Sequence, residues 1–148
     1  MTTDARSAIG VVFAAAAMVS CTTTSSPPAE RFVVRSSWAR TADSGATSGA
    51  YLDIVNHDTV TRSLVAITTE AAAAAEVHET MTHEGMTHMT PRTDLPIAAG
   101  GTLSMQPGGV HVMLVALRRA LAVGDSVPLR LRFSDSTAVT VMVPVRAP

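Results

Sequence analysis

The chain contains no lysine; all 11 of its basic residues are arginine. That excludes lysine Schiff-base chemistry and the phosphate-gripping lysine of a P-loop. It has one cysteine, Cys21, in 148 residues. An internal disulfide and a multi-cysteine zinc or iron–sulfur site within one chain are therefore excluded. Aromatic residues are scarce, at 3%, so a core must be built mostly from Val, Leu, Ile and Ala. Charge is low: 16% charged residues against 47% hydrophobic, with a net charge of −1. This is neither a disordered chain nor a coiled coil, and it has no basic stripe for nucleic acid. What the chain has in quantity for its size is methionine (eight) and histidine (five).

The apolar run Ala8–Val19 falls short of the roughly 18 residues needed to span a bilayer and suits the core of an export signal. Arg6 precedes it, diluted by Asp4, and it ends at Met18-Val19-Ser20-Cys21. A small residue before the only cysteine resembles a bacterial lipoprotein signal, cleaved ahead of a lipidated Cys21, with Met18 in place of the usual leucine. The alternative is an ordinary secretory signal with a free cysteine beside it. The expected organisation is a signal over residues 1–21, a flexible tether over 22–30 rich in Thr, Ser and Pro, and one folded domain over 31–148. The protein is then exported, to the periplasm or the outer face of a bacterial membrane, and meets the membrane only through its lipid. A monomer is expected.

From Phe32 onward β-branched residues recur in short runs between turn signals. The expected strands are Phe32–Ala39, Gly49–Asn56, Ser63–Thr69, Glu76–Thr80, Met86–Met89, Thr102–Met105, Val110–Leu117, Ser126–Phe133 and Ala138–Val145. Leu129 to Phe133 alternates apolar and polar, as do Val139, Val141, Val143 and Val145 with their neighbours, the mark of half-buried strands. The alanine-rich stretch Glu70–Glu76 has high helix propensity but is too short for a stable helix, so a turn or single helical turn is expected. The fold class is all-β, an antiparallel Greek-key sandwich. Trp38, Met105 and Met142 are expected in its core; His57, Glu79 and Glu84 are expected on its surface.

The chemistry concentrates between Glu76 and Met113. His111 and Met113 lie two apart on an apolar strand, which puts both on one face while Val112 and Leu114 point into the core. If Glu84-Gly85 is a two-residue turn, Thr80 sits opposite Met89, Met81 opposite His88, and His83 opposite Met86. His78 and Met89 then share one face of the hairpin as diagonal neighbours. Met81, His83, Met86 and His88 share the other. Imidazole with thioether, and no thiolate, is a donor set for copper: thioether sulfur is soft and selects Cu(I), and imidazole suits copper in general. Outside the cytoplasm thiols are prone to oxidise, which favours methionine over cysteine as the sulfur donor.

The spacing His78, ten residues, Met89, twenty-one residues, His111, one residue, Met113 resembles the H-x10-M-x21-H-x-M signature of the PCu(A)C family of periplasmic copper chaperones. Trp38-Ala39-Arg40, Gly49–Leu52, the start at Val77, the segment at Ile97 and Pro107–Leu114 support the likeness over about residues 31 to 145. The resemblance implies a cupredoxin-like β-sandwich and one surface Cu(I) held by His78, Met89, His111 and Met113. It also implies copper delivery to the copper-centre subunit of cytochrome c oxidase, at its binuclear site, often beside a thiol-bearing copper-transfer protein. Stepwise ligand exchange is the expected mechanism, with the four ligands drawn from two edges of the sandwich.

For Met81, His83, Met86 and His88 two readings stand: a solvated hairpin tip, or a secondary metal site at which Cu(II) could also bind. Copper buffering or resistance without a dedicated acceptor is the alternative function. An adhesion or assembly module without metal is a third. The domain has no G-x-S-x-G elbow, no H-E-x-x-H and no cysteine nucleophile, so no enzyme is expected. Without cysteine it also cannot form a blue-copper electron-transfer site.

Overall fold

The structure, a computed structural model, describes residues 27–147. The expected signal segment, Cys21 and tether residues 22–26 lie outside the described residues. One helical turn, α1 (Pro28–Arg31), takes up the end of the expected tether, and ten strands follow. They are β1 (Phe32–Arg40), β2 (Ser48–Asn56), β3 (Arg62–Thr68), β4 (Ala72–His83), β5 (Met86–Pro91), β6 (Leu95–Ile97), β7 (Thr102–Met105), β8 (Val110–Leu117), β9 (Ser126–Phe133) and β10 (Ala138–Arg146).

The hydrogen-bonded order is β5-β4-β8-β2-β1-β10-β9-β3-β6, with β7 also on β2. It folds into a β-sandwich. One sheet carries β5-β4-β8-β2-β1, the other β10-β9-β3-β6. They join where β1 runs beside β10 at Ala39–Val145 and Arg40–Arg146. That pair is parallel, which corrects the expectation of a purely antiparallel sandwich; the other pairs are antiparallel.

Alternation supplies the core. Val127, Leu129, Leu131 and Phe133 of β9 meet Leu52, Ile54, Val112 and Leu114 of the facing sheet in one buried cluster. Phe32 stacks on Phe133 with centroids 3.6 Å apart. Burying such side chains stabilises the fold by about 1.5–3 kcal/mol each. Met105 is fully buried as expected. Met142 is not: it is 60% exposed, because Val143 and Val145 turn inward and period-2 geometry sends their neighbour out.

Three further expectations are corrected. Ala72–Ala75 opens β4 instead of forming a turn. Ala72, Ala74 and Ala75 pair with Leu117, Val115 and Leu114 of β8, so a sheet ladder overrides a helix propensity too short to act alone. β6 is an additional strand of three residues around Pro96, paired to β3. Trp38 leaves the core. A bulge between Arg35 and Trp38, with Ser36 at φ 51°, shifts the phase of β1 by one residue. Ala39 turns inward, fully buried, and Trp38 lies on the outer face, half-buried.

Candidate metal centre

The register of three strands sets the site. β4 pairs with β8 so that His78 stands directly opposite His111 and Glu76 opposite Met113. β5 pairs with β4 so that Met89 stands opposite Thr80 and Pro91 opposite His78. Period-2 geometry therefore puts His78, Met89, His111 and Met113 on one face, the outer face of a single sheet. The expectation of ligands from two edges of the sandwich is corrected: β5, β4 and β8 are adjacent strands. The two imidazoles form the middle, with ring centroids 6.4 Å apart. Met113 and Met89 flank them diagonally, toward opposite ends.

Each ring has one nitrogen tied to an oxygen acceptor. His111 Nδ1 donates to the carbonyl of Gly109 at 3.0 Å. In the neutral ring this leaves the Nε2 lone pair free. The same carbonyl accepts the backbone N–H of Thr80 at 3.1 Å, which ties the loop before β8 to β4. That loop is a tight turn in which Gln106 accepts from Gly109 and donates to Val110, and Gly108 takes φ 81°. His78 Nε2 donates to Glu76 Oε2 at 2.9 Å, which leaves the lone pair on Nδ1. That nitrogen is buried and has no hydrogen-bond partner among the described residues. Glu76 is not singled out by the motif; its signal is the i, i+2 spacing to His78 on one strand.

Burial is graded across the set. His111 is buried, His78 and Met113 are half-buried, and Met89 is 56% exposed. An aromatic wall closes the β2 side. Trp38 packs on Tyr51 with centroids 4.5 Å apart, Tyr51 lies 6.4 Å from His111, and Arg40 sits over the Tyr51 ring. Gly49, opposite Met113, makes this arrangement possible: a Cβ there would meet Tyr51 Oη at 2.8 Å. A shallow pocket of about 240 Å³ opens here between Tyr51, Arg40, His111 and Met113.

The family model described as LpqE-like matches residues 32–145. This chain belongs to the LpqE-like family. "Putative lipoprotein Lxx21020" of Leifsonia xyli is 34% identical over 146 residues, covering 98% of this chain and 87% of that protein. The solution structure of CuI-DR1885 from Deinococcus radiodurans is 31% identical, with a TM-score of 0.56 over 77% of this chain and 78% of that one. The copper-bound PCuAC domain from PmoF2 superposes with a TM-score of 0.66 over 80% of this chain and 94% of that domain. At 21% identity that likeness speaks for the fold alone.

In this LpqE-like chain the hairpin register is the one expected from Glu84-Gly85. Both turn residues have positive φ, 51° and 79°, the signature of a two-residue I′ turn. Met81 stands opposite His88 and His83 opposite Met86. The structure does not bring these four to the first set; they lie on the opposite face of the hairpin, all exposed. His57 and Glu84 are exposed as expected. Glu79 is half-buried and takes an ion pair from Arg92.

Proposed function

We propose that this chain is an exported Cu(I)-binding protein, anchored through a lipid on Cys21, that holds one ion on His78, Met89, His111 and Met113 and hands it on by ligand exchange. The observation that carries this reading is the pair of facing imidazoles. Each has one nitrogen fixed by an oxygen and the other left as a lone pair, and at His78 that lone pair is buried without a partner. A buried polar atom without a partner is costly, and a metal ion is the partner that suits a deprotonated imidazole nitrogen. Metal–nitrogen bonds of about 2 Å let one ion take a nitrogen from each ring. The flanking thioethers make the set soft, which selects Cu(I). The likeness to a Cu(I)-bound protein at 31% identity supports the same conclusion.

The burial gradient orders the exchange. Met89, exposed on the outermost strand, is the ligand an incoming donor reaches first. His111, held by Gly109 and walled by Tyr51, is the last to let go. Neutral ligands need no proton transfer at methionine, so exchange proceeds by substitution at the metal alone. The acceptor is the binuclear copper site of a cytochrome c oxidase subunit, or a thiol-bearing copper-transfer protein. Both lie outside the cytoplasm, where a lipid anchor would hold the domain.

The test is an anaerobic Cu(I) titration against a chromophoric chelator, with the wild type and His111→Ala/Met113→Ala side by side. One tight equivalent, lost in the variant, is expected. Failure of the wild type to compete with the chelator would overturn the reading.

A further inference from the structure

The β4–β5 hairpin runs beyond the sandwich, and every residue from Met81 to Pro91 is exposed. Its two faces differ in chemistry. On the face shared with His78, the hairpin positions 80, 82 and 87 are threonine and position 89 is methionine. On the reverse face, positions 81, 83, 86 and 88 are methionine, histidine, methionine and histidine. The register sets His83 directly across from Met86 and Met81 directly across from His88. The four form a two-by-two checkerboard in which each imidazole neighbours a thioether across the ladder.

Among the described residues nothing apolar covers this face. Met81 is 50% exposed and Met86 58%. Exposed methionines contribute nothing to a core, and threonine fills the equivalent positions on the other side of the same ribbon. Directly opposed residues have Cβ atoms about 4.5–5.5 Å apart and diagonal ones about 7–8 Å, within reach of long side chains. Four donors can therefore converge on one ion above the ribbon. Glu84 adds negative charge at the turn, its Oε1 3.9 Å from His83 Nε2.

We propose that Met81, His83, Met86 and His88 form a second Cu(I) site, separate from the first and weaker. It is separate because the hairpin backbone lies between the two donor sets. It is weaker because its side chains stand free in water and must be ordered on binding, whereas His78 and His111 are already held by Glu76 and Gly109. Its donor types match those of the first set, so the same soft ion is preferred. This proposal rests on the reading that the chain handles Cu(I), and the second site would be the outermost point at which the ion is met.

The test is the same anaerobic titration of the purified protein, with chelators of graded affinity and the methionine methyl signals followed by NMR. The wild type should take up two equivalents, the second at least about tenfold more weakly, with the Met81 and Met86 methyls shifting in the second step. His83→Ala/His88→Ala should keep the tight equivalent and lose the weak one. His111→Ala/Met113→Ala should do the reverse. A single wild-type equivalent that survives in His83→Ala/His88→Ala overturns the second site and leaves the first standing. Retention of both equivalents in His111→Ala/Met113→Ala overturns the first.

Discussion

His78 and His111 face each other across the β4–β8 ladder, and the oxygen that holds each ring comes from within two residues on its own strand or at its edge: Glu76 Oε2 for one, the Gly109 carbonyl for the other. The two supports differ in kind. Gly109 is backbone and cannot be mutated away. Glu76 is a side chain, about half exposed, and its hydrogen bond to the site goes to the His78 ring.

Glu76→Gln and Glu76→Ala should therefore separate positioning from folding. An acceptor that orients a metal-ligating histidine is typically worth 10–100-fold in metal affinity. Glu76→Ala should lower Cu(I) affinity by about that factor, and Glu76→Gln, whose amide oxygen still accepts the bond, by less. A surface substitution of this kind should move stability by no more than about 0.5 kcal/mol. Chelator competition and urea unfolding on the same samples check both halves.

Trp38, Tyr51 and His111 lie in a row across β1, β2 and β8, and Trp38 is the only tryptophan in the chain. Its emission should change as the first equivalent of Cu(I) binds, and His83→Ala/His88→Ala should leave that change intact. Gly49→Ala should disturb the row directly, because the new Cβ would meet the Tyr51 hydroxyl and ring and force them to shift. Overpacking of this sort costs about 1–3 kcal/mol. A fall in the urea midpoint together with a shifted Trp38 emission maximum in the metal-free protein is the expected result.

Several of these elements can be read from the residues, and the reasons are physical. Gly85 marks a turn, and once Glu84-Gly85 is taken as a two-residue turn the register of the whole hairpin is fixed, so both faces follow from it. His111 and Met113 share a face because strands have period 2. What could not be read depends on partners distant in sequence or on local geometry that leaves no residue pattern. Ala72–Ala75 is a strand only because β8 offers it a ladder. Counting by twos from Phe32 puts Trp38 inside, and it is the Ser36 bulge that reverses this. Glu76 looks like any surface carboxylate until His78 turns its ring toward it.

Acid should loosen one corner of the sandwich. Arg31 and Arg62 bridge Asp58 and Asp135, with nitrogen–oxygen distances of 3.0–3.8 Å. This ties the start of β1 to β3 and to the β9–β10 turn. The hydrogen bond from Arg62 leads in lowering the Asp58 carboxyl below its ordinary value. At Asp135 burial pushes upward, but bonds from the Thr137 hydroxyl and N–H, with the two arginines, bring the net shift down. A carboxylate with a depressed folded pKa stabilises the fold above its unfolded value, near 3.9, and that contribution is lost as pH falls through the folded value. The urea midpoint should thus be level from about pH 7 to 5 and drop below about pH 4. Asp58→Asn/Asp135→Asn should start lower at neutral pH and show a shallower acid limb.

The two methionines Met89 and Met105 should give opposite results from the same substitution. Met105 is fully buried at the end of β7, opposite Leu52. Met105→Ala leaves a cavity and should cost about 2–5 kcal/mol while Cu(I) affinity in the folded protein stays unchanged. Met89 is 56% exposed on the outermost strand, so Met89→Ala should cost no more than about 0.5 kcal/mol. Its effect belongs to the metal. Removing the most accessible of the four proposed ligands leaves the two held imidazoles and Met113, so the ion should still bind, less tightly, and pass faster to an apo acceptor. Stopped-flow transfer to the acceptor, alongside urea unfolding of both variants, measures this. Slower transfer from Met89→Ala than from the wild type would show that Met89 guides the incoming ligand and does not hold it off.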